Sequence, residues 1–312
     1  MTQKIATRDA YGKALAQYGL ENERIVVLDA DLSKSTKTAD FAAVVPERFF
    51  NAGIAEQNMI GVAAGLSTCG KIPFVSSFAV FLTGRAFEQI RNTVAYPKLN
   101  VKLAATHAGV TVGEDGGSHQ SVEDIALMRS LPRMTVVVPC DAIETTQAVA
   151  AAIAYDGPVY LRLGRLAVPL INGEEYRFEL GKGVLLRDGS DIVIFACGLM
   201  VAAAIEAADL LAEEGISAAV ANIHTIKPLD TDFIANLAAR CGAAVTVEEH
   251  SIIGGLGSAV AETLGEHYPV PLCRVGIMDM FGQSGSPDAL LEKYGLTAVS
   301  IVQKVKATIA RK

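Results

Sequence analysis

The feature that most limits how this chain can fold is an alternation of short apolar runs with longer helical patterns, which occurs twice. Residues 24–29 and 101–105 have the length of buried strands, and segments with apolar side chains at helical spacing lie between such runs. The alternation resumes at 192–196, after the polar stretch 171–183. Strands that alternate with helices usually form a parallel sheet covered on both faces. We therefore expect an α/β protein with two open, doubly wound domains.

The length also favours two domains, because 312 residues are many for one hydrophobic core. We place the first domain at residues 1–170, the second at 186–312, and a linker at 171–185, where the polar stretch interrupts the alternation. The longest apolar run, 192–205, has 14 residues and falls short of the ~20 that span a bilayer. No membrane segment is therefore expected.

Charge and cysteine spacing limit the partners and the compartment. The net charge is −7 and the basic residues form no block, which argues against a nucleic-acid partner and leaves local Arg and His sites to bind any anion. The five cysteines lie far apart and include no Cys-x-x-Cys pair, a spacing typical of reduced thiols rather than of disulfides or a zinc site. The amino terminus has no signal-peptide core, so we expect a cytoplasmic protein. We also expect no metal site within this chain.

A carboxylate, Glu56, lies in the first turn of a predicted helix. Gly53 allows a turn after an apolar run, and Met59 and Ala63 then follow helical spacing. Ligands of open α/β sheets bind beyond the carboxyl ends of strands, which is where Glu56 is expected to lie. An acid at this position could also do no more than complement the helix dipole.

The glycine-rich loop at residues 106–119 is the second candidate. It holds four glycines, two of the five histidines (His107 and His119) and two acids (Glu114 and Asp115). Such a loop loses much conformational entropy on ordering and buries little apolar area, so its expected use is to present polar groups to a ligand. The alternative is a mobile, solvated surface loop.

Two further pairs follow predicted strands. Asp31 and Ser35 lie in the loop after the first strand, where turn and capping chemistry explains them equally well. Phe78 and Phe81 are three residues apart, which on a helix places both rings on one face, and core packing is the commoner use of such a pair.

Arginines and acids mark three more positions. Arg162 and Arg165 lie at the end of another predicted strand and suit an anion, although a plain surface role is equally open. The spacing of Ser121 with Asp124 predicts a capped helix start. Asp141 and Glu144 predict another.

In this order and spacing, the motifs resemble the carboxyl-terminal half of transketolase. They are Gly-Ile-Ala-Glu56-Gln, Phe78-x-x-Phe81, and His107 followed by Gly-Glu-Asp115-Gly-x-x-His119. The resemblance is strong over residues 7–169 and weaker beyond. It implies a pyrimidine-binding domain, a smaller transketolase carboxyl-terminal domain, and thiamine diphosphate as cofactor.

For the cofactor, the resemblance implies that Glu56 bonds N1′ of the aminopyrimidine and stabilises the tautomer whose imino group deprotonates the thiazolium. Phe78 and Phe81 match aromatics that pack against that ring, and Asp31 with Leu32 matches the loop beside it. The chain departs from many transketolases at Gln57, where they have histidine, at Gly84, where they have an aromatic, and at Ala108, where an acid is common.

For the substrate, the resemblance implies that Asp115 and His119 contact the C1 and C2 hydroxyls of a donor ketose, with His119 shuttling a proton. The predicted catalytic residues are thus Glu56, His119 and His107. The group matched to the sugar phosphate consists of His107, Arg165, Arg8 and Ser35. The implied reaction is ketol transfer between sugar phosphates, as in the pentose phosphate reactions of carbohydrate metabolism.

The sequence has no Gly-Asp-Gly followed by ~30 residues and an Asn, the motif that holds diphosphate and Mg²⁺ in this cofactor class. By resemblance to two-gene transketolases, we expect an amino-terminal partner subunit that carries Mg²⁺ and the diphosphate site. We also expect self-association, with active sites between chains of an α2β2 heterotetramer.

Three other interpretations stay open. The chain could be the β subunit of a 2-oxo acid dehydrogenase first component, although the Gly-Glu-Asp-Gly-x-x-His loop with Arg165 suits sugar phosphates better. It could be half of a 1-deoxyxylulose-5-phosphate-synthase-like enzyme. It could also be a regulatory or interaction subunit without turnover.

Overall fold

The computed structural model describes residues 3–312, which fold into alternating strands and helices. The strands are β1 (Lys4–Ala6), β2 (Ile25–Asp29), β3 (Phe49–Asn51), β4 (Ile72–Phe78), β5 (Lys102–Thr106), β6 (Thr135–Val137), β7 (Val159–Arg162), β8 (Ala167–Pro169), β9 (Val184–Arg187), β10 (Ile192–Ala196), β11 (Ala218–Asn222), β12 (Thr225–Lys227), β13 (Ala244–Ser251) and β14 (Leu272–Ile277). The helices are α1 (Thr7–Glu21), α2 (Ser33–Thr36), α3 (Ala39–Val44), α4 (Glu56–Thr68), α5 (Phe87–Gln89), α6 (Asp124–Ser130), α7 (Ala142–Ala154), α8 (Met200–Glu213), α9 (Thr231–Cys241), α10 (Leu256–His267), α11 (Pro287–Lys293) and α12 (Ala298–Ile309).

The first domain is built on a sheet whose order is β12-β6-β7-β5-β4-β2-β3. All neighbours in it are parallel except β12, which pairs antiparallel with β6. Parallel strands buried on both faces have near-continuous apolar sequences, and β2 and β5 are buried along their whole length. The carboxyl ends of β2, β3, β4, β5 and β7 therefore meet at one edge of the sheet.

The second domain has a smaller sheet in the order β14-β13-β10-β11-β9, parallel except for β9. Helices α8 and α12 pack together over a core that includes Ile192 and Ile301. The domains are tied together because β12, which follows β11 in the chain, joins the sheet of the first domain. The predicted class, two doubly wound α/β domains, is confirmed.

Two local predictions were wrong. Phe78 does not lie on a helix with Phe81 but is the last residue of β4, and Phe81 begins a π-helical segment, Phe81–Arg85. Ser121 caps no helix, because α6 begins at Asp124 and no side chain caps it. The carboxylate of Asp124 instead binds buried Arg162 through two bonds of 2.7 and 3.1 Å, a stronger interaction than a neutral cap. Asp141 does cap α7 by accepting from the Glu144 amide at 2.8 Å.

The predicted linker contains no helix or strand over residues 171–183, and its last two residues belong to β9. It is packed rather than free: the Asp141 carboxylate accepts from the Ile171 amide, and the Phe178 ring lies 4.3 Å from the His224 ring. The domain boundaries themselves stay a prediction. Every helix within residues 3–312 falls short of the length and apolarity that crossing a bilayer requires.

Candidate active site

The edge where the parallel strands of the first domain end collects most of the predicted site residues. Asp31 follows β2, Glu56 begins α4 shortly after β3, and Phe78 ends β4. His107 follows β5 and Arg165 follows β7. Neighbouring parallel strands end at the same side of a sheet, so residues distant in sequence meet there.

Glu56 is a buried carboxylate held by two side chains. Its side chain is 3% exposed and accepts a hydrogen bond from Ser77 Oγ at 3.1 Å. It also forms an ion pair with Arg85, whose Nη1 lies 3.2 Å from the carboxylate. An unpaired buried charge costs several kcal/mol, so half-exposed Arg85 stabilises this carboxylate where it lies. A cavity of about 640 Å³ opens beside the pair, lined by residues 54–58 and Arg85.

An aromatic wall continues from this carboxylate. The rings of Phe78 and Phe81 stack with centroids 5.8 Å apart, and the Arg85 guanidinium lies 4.0 Å from the Phe81 ring centre. His119 meets the edge of Phe81 at 5.2 Å, and His107 stacks on Phe78 at 3.7 Å. The wall therefore connects the acidic end of the site with its two histidines.

The opposite end of the site is cationic. Arg8 Nη1 donates to the Ser35 carbonyl at 3.0 Å and lies 3.0 Å from His107 Nε2. Arg165 donates to the Val112 carbonyl and pairs with Glu114 at 3.4 Å. The fold thus brings together Arg8, Ser35, His107 and Arg165, the group expected to hold an anion.

His107 is neutral in this setting. Burial, and then the charges of Arg8, Arg165 and His119, lower the pKa of the His107 imidazole to about 3. Since Nε2 accepts from Arg8, Nδ1 carries the proton and donates to Thr106 Oγ1 at 2.8 Å. The imidazole is therefore an uncharged hydrogen-bonding group near pH 7.

The other predicted residues lie around this line of contacts. Asp31 has a left-handed backbone with φ of 65° and accepts from Asn51 Nδ2 at 3.0 Å, while the Leu32 amide donates to Asp29 at 2.6 Å. Asp115 is exposed in the glycine-rich loop. Within residues 3–312, no hydrogen bond or ion pair joins its side chain to the cluster.

Arg85 is the site residue that the sequence reasoning missed. Its spacing of four residues from Phe81 was a weak signal, because i, i+4 pairs meet on a helix. Arg162, considered as an anion ligand, instead donates through Nε and Nη2 to the Asp124 carboxylate and through Nη2 to the carbonyls of Ser121 and Glu249. It is a structural arginine that ties strand β7 to the second domain.

The residues at the acidic end fit an aminopyrimidine. A buried carboxylate at the ring edge and an aromatic face suit a flat heterocycle with hydrogen-bonding nitrogens. Arg85 would have to share Glu56 with such a ring, since it contacts both Glu56 and Phe81. In the part of the chain that the structure describes, no group of three or more His, Cys, Asp or Glu side chains is arranged to hold a metal ion.

Comparisons with known proteins match both domains of the chain to family models. Residues 3–170 match the family model "Transketolase, pyrimidine binding domain", and residues 181–301 match "Transketolase, C-terminal domain". A protein of Methanocaldococcus jannaschii described as a putative transketolase C-terminal section is 54% identical over 96% of this chain and 94% of its own length.

A 6-deoxy-6-sulfo-D-fructose transketolase subunit, SqwH, of a Clostridium species is 48% identical over 98% of this chain and 95% of its own length. A solved structure described as a split gene transketolase in an inactive β4 tetramer is 57% identical, with a TM-score of 0.90 and 99% of each chain covered. Relatives also include 1-deoxy-D-xylulose-5-phosphate synthases, of which this region is about half. The chain belongs to the transketolase family.

Proposed function

We propose that this chain is the carboxyl-terminal subunit of a split transketolase, which moves a two-carbon ketol unit from a ketose phosphate to an aldose phosphate with thiamine diphosphate. The supporting observation is the unbroken line of contacts from Glu56 through Arg85, Phe81 and Phe78 to His107. One end of this line suits a pyrimidine ring and the other suits an anion. A cytoplasmic location stays a prediction.

Glu56 would hold the cofactor ring. When bound, thiamine diphosphate supplies a stabilised carbon nucleophile, the chemistry needed to break a carbon–carbon bond beside a ketone. The buried Glu56 carboxyl would bond the ring edge, and Phe78 and Phe81 would pack against its face. Asp31 and Leu32 lie in the loop at the end of β2, on the same side of the sheet, and we assign them to the same pocket.

His119 and Asp115 would contact the hydroxyls of the donor sugar. His119 lies against Phe81, beside the proposed ring position, where it can accept and return a hydroxyl proton; such a role is worth roughly 10²–10⁴ in rate. His107, which the sequence reasoning grouped with the catalytic residues, suits a supporting role better than proton transfer because it is neutral and already bonded at both nitrogens. Arg8, Arg165 and Ser35 would bind the terminal anion of the sugar, and His107 would hold the Arg8 guanidinium in place for it by accepting a hydrogen bond at Nε2.

We further propose that an amino-terminal subunit completes the site by holding the diphosphate and Mg²⁺, in an α2β2 assembly. The match to the pyrimidine-binding and carboxyl-terminal family models supports this, as does the likeness to a protein described as split gene transketolase. The likeness to a sulfofructose transketolase subunit leaves two candidates for the anion of the donor sugar. The cationic end of the site suits either a phosphate or a sulfonate.

Reconstitution tests the proposal. This chain and the amino-terminal subunit of the same organism would be mixed with thiamine diphosphate and Mg²⁺ and offered phosphorylated and sulfonated ketoses with an aldose phosphate. We expect ketol transfer that needs both chains. Consumption of a 2-oxo acid such as pyruvate, without transfer from any ketose, would instead favour the synthase-like or dehydrogenase-like alternatives and would overturn the assignment.

A further inference from the structure

The glycine-rich loop of the first domain lies against the second domain. At Gly109 an added Cβ would come within 2.2–2.4 Å of the Glu249 carboxyl group, and at Gly117 it would lie 2.6 Å from the Gly282 carbonyl oxygen. Only glycine allows approaches this close. The glycines of this loop therefore serve packing between the domains, and the mobile surface loop considered from sequence is not what the structure has.

Glu249 fixes the first part of the loop. Its carboxylate accepts a 2.6 Å hydrogen bond from the Thr111 amide, and Glu249 itself lies within the buried strand β13. The base of the loop is closed by a 2.7 Å bond from the Gly109 amide to the Ser121 carbonyl. This end of the loop is thus set by a strand of the second domain.

Gln120 ties the other end of the loop to the second domain. Its buried Nε2 lies within hydrogen-bond distance of three carbonyl oxygens, those of Val110 and Gly113 at 3.1 Å and that of Gln283 at 2.9 Å, which share its two hydrogens. Three carbonyl oxygens around one amide group fix its orientation, because a flipped amide would face them with its own oxygen. His119 is the neighbouring residue, so its backbone position depends on this tie.

The segment Gly282–Ser286, which we name the brace, covers the tip of the loop. Ser284 Oγ donates to the Glu114 carbonyl at 2.7 Å, and the space beside Gly113 is closed by the Gly285 carbonyl and by Arg165. Helix α11, which follows the brace, packs on the turn at Val110–Val112. The brace therefore contacts the loop on both sides of Asp115.

We infer that the brace and Glu249 make the carboxyl-terminal domain part of the donor-sugar site, by holding the loop that carries Asp115 and His119 in its working position. A loop with this many glycines has little intrinsic order, so an external scaffold is needed to fix two of its side chains. The brace residues touch no substrate and are positioning residues. The ligand of the loop, a donor sugar, rests on the proposed function. The contacts that hold the loop do not depend on that proposal.

Hydrogen–deuterium exchange on the chain itself tests how the loop is held. Gly282→Ala would place a Cβ 1.7 Å from Gln120 Oε1 and 2.8 Å from its Cδ, and the buried Gln120 amide is held in place by the carbonyls of Val110, Gly113 and Gln283. Gly265→Ala is the matched control, because a Cβ there meets nothing within 4 Å. We expect amides 110–120 to exchange at least about tenfold faster in the first variant and as in wild type in the second. Unchanged exchange in a folded Gly282→Ala variant would overturn the inference.

A milder variant keeps the test decisive if Gly282→Ala does not fold. Ser284→Ala removes the hydrogen bond to Glu114 and should speed exchange at 110–120 about two- to tenfold, whereas Ser284→Thr keeps the hydroxyl and should restore wild-type rates. Ser130→Ala, which removes a 2.7 Å bond from an exposed serine to the Leu127 carbonyl, is its control. Equal rates in Ser284→Ala and wild type would overturn the inference.

Kinetics of the reconstituted enzyme separate positioning from general loosening. Ser284→Ala should raise the KM for the donor about two- to tenfold and leave the Kd for thiamine diphosphate unchanged, with Ser284→Thr behaving as wild type. If Ser284→Ala speeds exchange at 110–120 but the wild-type enzyme shows no ketol transfer, the positioning role of the brace is supported and the proposed function is rejected. Ketol transfer with a donor KM unaffected by Ser284→Ala would reject the inference and keep the function.

Discussion

At the residue scale, the site has two chemically different ends joined by aromatic rings. Glu56 is a buried acid at one end, and Arg8 with Arg165 supplies positive charge at the other. His107 between them is held neutral by burial and by those same cations, so it adds hydrogen bonds without adding charge. A protein with a net charge of −7 can thus bind an anion locally.

Arg165→Ala should raise the KM for a phosphorylated donor by at least about tenfold and change the KM for the unphosphorylated sugar much less. The reason is that a charge-assisted bond to a phosphate is worth roughly 1.5–3 kcal/mol and is made only by the phosphorylated sugar. Steady-state kinetics on the reconstituted enzyme would measure this, with Arg177→Ala, an exposed arginine of the linker, as control. Equal KM effects on both sugars would reject a phosphate-binding role for Arg165.

Which single residues could be predicted depended on whether their chemistry shows in a motif. Glu56, His107 and His119 stand in recognisable spacings, and the structure places all three along one line. Arg85 stands in no such motif, and its pairing with Glu56 depends on a π-helical turn at Phe81–Arg85. π-helical turns are frequent at functional sites but have no simple sequence signal.

At the element scale, strand ends and one loop build the site. Apolar runs predicted the main strands well, since buried parallel strands need such runs. The end of β4 at Phe78 and the π-helical turn that begins at Phe81 were not predicted. Two aromatic residues at i, i+3 fit the sequence pattern of a helix even when the first of them lies in a strand. The loop at 106–119 was recognised as unusual, but its packing against Glu249 and the brace depends on distant residues and has no local sequence signal.

Glu249→Gln should make the free energy of unfolding of the chain fall less as the pH rises. Burial raises the pKa of Glu249 from its usual value of 4.5 to about 7, so the folded protein prefers the protonated carboxyl. Its contribution to stability is therefore full below pH 4.5 and is lost as pH rises towards 7. The amide variant keeps an acceptor for the Thr111 amide but does not titrate.

Urea unfolding between pH 4.5 and pH 7 measures this effect. The free energy of unfolding of Glu249→Gln relative to wild type should increase between these two pH values by on the order of one kcal/mol per pH unit. The total increase should be a few kcal/mol at most. Glu206→Gln, a change at an exposed acid, should show no such trend. A constant difference between Glu249→Gln and wild type would show that this carboxyl does not couple folding to pH.

At the scale of the whole molecule, the two domains form one scaffold. Strand β12 joins the first sheet, Arg162 reaches the Glu249 carbonyl, and the brace covers the glycine-rich loop. The sequence predicted two α/β domains because alternation is a local signal. It could not predict how the domains share a strand, since β12 has only three residues and pairs across the domain boundary.

A cofactor site shared between two subunits is tested most directly by calorimetric titration of thiamine diphosphate with Mg²⁺ into three samples. These are this chain alone, the chain with its amino-terminal subunit, and the same pair carrying Glu56→Gln. We predict tight binding only by the wild-type pair, at least about tenfold weaker binding by the Glu56→Gln pair, and little binding by the single chain. Tight Mg²⁺-dependent binding by this chain alone, or equal affinity of the Glu56→Gln pair, would contradict a shared site centred on Glu56.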